Sequence, residues 1–550
     1  MRDLASKSSD DTLSVLKEII VDIDERCATT KSDVGKRLLC QIRNTMSDKA
    51  ATEVRFNSLV EHYINETIPM LRAVREADLE GEDVEVIVKL NTFFCGMHNL
   101  VHFADNAVQA SLVAEKAICG EGGVPIYNPQ FQNESGTAHL VQTASKALSR
   151  GGDKRNGIYR KALTHLRPVL KEKYNTMSLP ISNYVGNRFN ILFTNSVFLY
   201  CLRNQIKELL EFCQTNQLLK SVLSDFNKDV VITILKVFGI ADKAIFGPYW
   251  RALESKEIDL VGMNRIYSSL VQYFDEAGEN PIIFLEGKSP FDDKFLHRDA
   301  WWDELFAPNR KLDGYAAVVA GILMKSFALF ARRQFADHID GGIHANLTAD
   351  QVRGVPTHNM FLERCFGYWD QRKRHIPNMS SAALEGCLLF TQNETYPYVE
   401  SKTPEERQKL IREAMKQTSH LKAVCKERAR KIEEVLAKRL ADQARVLAEK
   451  EEKVVREKEA LVGKVEAAGG LWRSGIQMEE ALKKIQEEAR GAGKKESIDA
   501  LKNQLSYRKK VLQQTGNSKD WTFSENGRPL TVDGLKNKLL KFLSPTIEQQ

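Results

Sequence analysis

Residues 404–464 constrain this chain most. They read as one long charged helix, and positions 421–460 alone carry twelve Lys/Arg and nine Asp/Glu. A helix polar on every side cannot form the inside of a core, so this one is solvated or paired with another helix. Leu440, Leu447, Val454 and Leu461 recur every seven residues, while the matching d positions are Gln443, Lys450 and Glu457. Only half of a coiled-coil seam is therefore present. The segment reads as a solvated helix or basic arm rather than a stable two-stranded zipper. "AAGGLW" (467–472) ends it, and 475–545 reads as a small helical module with a polar turn at "SENGRPL" (524–530).

The remaining chain is long enough for further cores, since 550 residues exceed what one core supports. Apolar residues are 43% and charged residues 28%, ordinary values for a globular protein. A net charge of +6 is compatible with a nucleic-acid partner without requiring one. The nine Cys form no C-x-x-C, so neither a zinc ribbon nor a disulfide framework is suggested, and reduced thiols fit a nuclear or cytoplasmic location. No signal-peptide run opens the chain and no run of about 18 apolar residues is present, so no membrane partner is expected. No G-x-x-x-x-G-K-[ST] loop points to a small-molecule nucleotide substrate.

Residues 1–9 read as disordered, 10–27 as a capped amphipathic helix, and 36–48 as a short helix running into a strand. Residues 49–74 are helical, 77–84 form a charged loop, and 86–117 read as a helix pair or one long buried helix. Residues 118–158 are irregular and rich in Gly, with basic residues at 146, 150, 154 and 155. From 186 to about 336 helix follows helix, until "ADHIDGGIHANLTADQ" (336–351) breaks the pattern, with His338 and His344 as loop polar groups.

The chemistry-bearing stretch is "THNMFLERCFGYWDQRKRHIPN" (357–378). Leu362, Cys365, Phe366 and Trp369 make one apolar helical stripe, which predicts docking through Leu362, Phe366 and Trp369. Glu363 lies at its border, Arg364 follows, and Arg372, Lys373 and Arg374 form a basic run suited to phosphates. Two other stretches accompany it: "NTMSDKAATE" (44–53), with Asp48 between a strand and a helix, and "FFCGMHNLVHFAD" (93–105), with Cys95 and His98 as C-x-x-H.

This ordered set resembles the catalytic domain of hAT-superfamily DNA transposases. "TMSDKAA" is similar to the strand-end motif holding that family's second catalytic Asp, here Asp48. Cys95 and His98 are similar to its C-x-x-H. "NRFN" (187–190) is similar to its Arg-Trp-Asn stretch, with Phe189 in the Trp place. Asn359, Glu363, Arg364 and Phe366 match its last acidic helix. The resemblance implies a mostly α chain with a small α/β part: an incomplete ribonuclease-H-like core interrupted by an all-helical insertion, then the long charged helix and a small helical C-terminal module. Its divisions are 10–194 (first part of the core), 195–345 (insertion), 346–403 (last helix segment), 404–466 (charged helix) and 467–550 (module). It further implies DNA as partner and an ancestral Mg²⁺ on Asp48 and Glu363, because two-metal phosphodiester cleavage needs carboxylates on hard cations. The family's first Asp strand and zinc-finger module have no counterpart, which predicts a truncated, decayed or domesticated copy with impaired catalysis.

Each of these residues also has a plainer role. Asp48 is a natural helix N-cap, and Glu363–Arg364 a solvated border pair. Cys95, His98 and His102 on an apolar helix are core residues before they are zinc ligands, so no zinc is expected. Trp301 and Trp302 either stack on a base or fill a helix junction. A homo-oligomer is the remaining partner class, through the half seam or through a sheet edge left unpaired by the missing strands.

Overall fold

The computed structural model of the chain describes residues 4–27, 33–75, 89–121, 123–124, 134–184, 190–213, 215–489, 493–525 and 528–543. The expected charged loop 77–84 lies outside them, as do residues 187–189 of "NRFN". The chain forms two compact units, Met1–Glu413 and Ala414–Gln550. Both are built mostly of helices.

The first unit opens with α1 (Ser9–Arg26), α2 (Val34–Gln41), β1 (Asn44–Ser47), α3 (Ala51–Arg75), β2 (Asn91–Phe94) and α4 (Gly96–Cys119). The expected disorder of 1–9 does not extend to its end. The Ser8 hydroxyl caps α1 by accepting from the Asp11 amide, and the Ser9 hydroxyl donates to Thr52 O at 2.6 Å. The long helix expected over 86–117 is a strand followed by a helix. "NTFF" is β-branched and aromatic, and pairing parallel to β1 buries Phe93. Parallel strands need a crossover of a dozen residues or more, and α3 supplies it. The register pairs Asn44 with Asn91 and Ser47 with Phe94, and among the described residues these two strands form the whole sheet. A small core of Ile20, Leu39, Val60, Ile64 and Leu90 holds α1, α2 and α3 to it.

The helical block follows: α5 (Gly136–Leu148), α6 (Tyr159–Glu172), α7 (Ile191–Cys201), α8 (Arg203–Cys213), α9 (Gln217–Phe226) and α10 (Asp229–Ala241). A π-turn (Asp242–Phe246) leads to α11 (Gly247–Glu254), α12 (Leu260–Glu279), α13 (Ile282–Leu285), α14 (Ala300–Phe306) and α15 (Arg310–Gln334). Its core is continuous from Cys95 to Phe335, so α4 and the block share one interior and 194/195 is not a packing boundary. Phe103 of α4 sits at the centre, edge-on to Phe327 at 5.3 Å and Phe330 at 4.8 Å. By length and composition α15 is the one described helix long and apolar enough to cross a membrane, and 50% of its apolar window is buried in this core.

The unit continues through α16 (Met360–His375), α17 (Ser381–Gln392) and α18 (Thr395–Glu400) into α19 (Pro404–Ala467). At a rise of ~1.5 Å per residue, α19 is about 96 Å long. Its surface is laced by pairs one turn apart, such as Arg430 with Glu427 and Glu434, and Arg456 with Glu452. Leu440 and Leu447 are exposed; only Leu461 and Val465, near the end, are buried.

The second unit adds α20 (Gly475–Glu488), α21 (Gly493–Lys510), a two-stranded hairpin of β3 (Ser524–Glu525) and β4 (Arg528–Pro529), and α22 (Val532–Leu540). The polar turn expected at 524–530 is thus a minimal hairpin. Trp472, Met478, Leu482, Leu501, Leu505 and Leu535 are among the residues of its core.

Candidate functional site

The strand ends bring the sequence-predicted residues to one edge. Asp48 follows β1 directly, and Cys95 follows β2. The Cys95 amide donates to Ser47 O at 2.8 Å, which carries the ladder to the last residue before Asp48. Asp48 is not the cap of α3, which begins at Ala51: its Oδ1 accepts from the Ala50 amide at 3.1 Å, an Asx turn just ahead of the helix. Nearby, burial pushes the Glu53 carboxyl above its ordinary value, and the Asp48 charge adds to this.

Glu363 reaches the same edge from a distant part of the chain. The Asn359 amide, at the start of α16, donates to Cys95 Sγ at 3.3 Å across 264 positions of sequence. The Gly96 amide donates to Thr357 O at 3.2 Å, and the Thr357 hydroxyl donates to Leu253 O at 2.7 Å. These bonds set the first turn of α16 over the start of α4. Glu363 Oε1 then lies 3.9 Å from His98 Nε2, with both side chains about one-third exposed. Cys95 is buried at this junction and its thiol is pushed above its usual value, chiefly by burial. Thr357 and Gly96 escaped the motif reading because their role is a close backbone approach. The one sequence trace is the glycine inside "FFCGMH".

The fit to Mg²⁺ is incomplete. One oxygen of Asp48 is committed to a backbone amide and Glu363 faces an imidazole. Among the described residues no three His, Cys, Asp or Glu side chains gather as a metal would require. The edge holds two carboxylates, one of them facing His98, and not a triad.

Two expectations are corrected by packing and a third is refined. The stripe on α16 is not its docking face: Leu362 is 46% exposed and Phe366 55% exposed, whereas Cys365 is buried. The bonds at Asn359 and Thr357 fix the helix by its first turn, which turns the Phe361–Leu362–Phe366 side outward. Trp301 and Trp302 are not stacking platforms for bases. Trp301 lies flat on Tyr174 with ring centres 3.5 Å apart and meets Phe198 edge-on, and both tryptophans are buried. His338 and His344 lie in the loop as expected, but buried and against Phe93.

The basic run is partly engaged within the chain. Arg374 pairs with Asp370 at 2.6 Å, Arg364 lies 3.9 Å from Glu254, Lys373 donates to Met379 O, and Arg372 lies over the Tyr368 ring. Asn190 is the described residue of "NRFN"; with Thr194 it donates to the buried Asp242 in the π-turn. Comparison with protein-family models, with curated proteins and with solved structures returns no match.

Proposed function

We propose that the chain is a transposase-like remnant: half of a ribonuclease-H-like core carrying a helical insertion, which associates with DNA and does not cut it. One juxtaposition carries this reading. Asp48 follows the first strand of a parallel pair, and Glu363 enters on a helix tied by Asn359 to the end of the second strand. Between them lies the block of helices. In a cleaving relative of this design a third carboxylate would complete the set. Here Asp48 Oδ1 is bonded to the Ala50 amide and Glu363 faces His98, so Mg²⁺ chemistry finds no full ligand set among the described residues.

The test is a DNA assay on the full chain in Mg²⁺ or Mn²⁺. The expected result is no nicking, hairpinning or strand transfer, with unchanged behaviour for Asp48→Asn and Glu363→Gln. Association with DNA should weaken with salt, since each neutralised phosphate contributes about −0.9 to the log–log slope. Metal-dependent cleavage lost in either variant would establish an active nuclease. Absence of DNA binding at low salt would remove the nucleic-acid reading.

A second reading has its own observation. Leu440, Leu447 and Val454 are each at least half exposed along one heptad row of α19, which suits a helix–helix partner. That reading makes the chain a dimerising protein, and it requires helicity that rises with protein concentration.

A further inference from the structure

The corner between α5 and α6 carries a cationic concentration that the strand-end site does not use. A cavity of about 510 Å³ opens there, lined by Arg150, Lys154, Arg155, Arg160 and Lys161. All five are exposed, and none has an ion-pair partner among the described residues. One carboxylate, Asp153, shares the lining. It is turned to the loop itself, accepting from the Arg155 amide at 2.8 Å, the Asn156 amide at 2.9 Å and Asn156 Nδ2 at 3.0 Å. These bonds hold it below its ordinary pKa, so it stays ionised while shaping the turn.

The loop is built to a fixed form. A Cβ on Gly152 would run into Lys146 O, and Asn216 Nδ2 donates to Asn156 O at 3.0 Å, tying the loop to the start of α9. No side chain caps α6, so its first amides point into the corner without a partner from their own helix. Beneath Gly152 lies Ser149, 4% exposed, whose hydroxyl has no hydrogen-bond partner among the described residues. A buried hydroxyl left unpaired is unfavourable, and an oxyanion resting on the loop would give it an acceptor.

We propose that this corner binds phosphate groups, and that their source is the backbone of a nucleic acid. The cations are spread along a loop and a helix start rather than closed around one anion, which suits a row of phosphates. The site stands apart from the strand-end reading and does not require it.

The full chain is titrated with a fluorescent single-stranded oligonucleotide over a range of salt, with inorganic pyrophosphate as competitor. The triple variant Arg150→Ala/Lys154→Ala/Arg155→Ala is expected to lose roughly tenfold or more in affinity at low salt, and its salt slope should fall by about 2. Triple Lys/Arg exchange at the same positions (R150K, K154R, R155K) should restore the slope. Ser149→Ala should weaken binding without lowering the melting temperature, because the hydroxyl has no partner in the free protein. Unchanged oligonucleotide affinity and slope in the triple-alanine variant, with pyrophosphate binding unchanged as well, would overturn the site while leaving DNA binding elsewhere intact. Pyrophosphate binding abolished by that variant, with oligonucleotide binding unaffected, would overturn the nucleic-acid source.

Discussion

Gly96 sits where three segments meet. A Cβ there would strike Leu253 of α11 and Thr357 O ahead of α16, while the Tyr249 hydroxyl donates to Gly96 O at 3.0 Å. The candidate site thus depends on an atom that is absent. Behind it, His338 Nδ1 donates to Asn264 Oδ1 at 2.8 Å and His344 Nε2 donates to Thr92 O at 3.0 Å, which hangs the 336–351 loop on β2. Burial first, then the neighbouring His344, pushes His338 down to about 4, and burial lowers His344 as well. Both are therefore neutral when folded. The unfolded chain takes up these protons near pH 6.5 and the folded chain does not, so stability present above that pH is lost as pH falls towards about 4. For His338 alone the loss is on the order of 3 kcal/mol. Thermal unfolding between pH 7 and 4 should show this slope, and His338→Gln should flatten it. An equal slope in the variant would assign the effect to other groups.

At the scale of elements, α16 is the informative case. Its heptad-like stripe predicted a buried face, yet Phe361, Leu362 and Phe366 are exposed because the helix is held by its first turn. Leu362→Ser and Phe366→Ser are therefore expected to change stability by less than about 0.5 kcal/mol. Were these side chains docked, the same substitutions would cost roughly 2–5 kcal/mol. Chemical denaturation separates the two, and a large loss would restore the stripe as the packing face. Much of the architecture was legible from periodicity: α1, α3 and α19 match their expected spans within a few residues, because α1 is capped, α19 is uninterrupted, and α3 keeps its pattern through Pro69. β2 was not legible. Its four residues, Asn91–Phe94, run without a break in hydrophobicity into α4, and only pairing with β1, which depends on a partner far along the chain, marks them as a strand. Asp48 and Glu363 were legible as a pair of strand-end and helix acids. The phosphate-binding corner was visible only as scattered basic residues in a Gly-rich segment, since it takes the fold of α5, α6 and α9 to gather them.

The molecule as a whole has separate interiors: among the described residues, none of the core in 414–550 belongs to the core running from Cys95 to Phe335. The smaller one is fastened by polar groups as much as by leucines. Gln504, fully buried, donates to Gly470 O at 2.7 Å. Arg508, 4% exposed, donates to Trp472 O, to Phe542 O at 3.1 Å and to Gln514 Oε1 at 3.3 Å, with burial lowering its pKa. The guanidinium thus joins the turn after α19 to Phe542, just beyond α22, without a carboxylate partner among the described residues. Methionine fills a similar volume but leaves those carbonyls unpaired in the interior, at about 1–3 kcal/mol for each buried group left unsatisfied. Calorimetry of the full chain is expected to resolve two transitions, and Arg508→Met should lower one by several degrees while leaving the other in place. A single transition that moves as a unit would show that the two cores unfold together, and the polar fastening would then stabilise the whole chain rather than its C-terminal part.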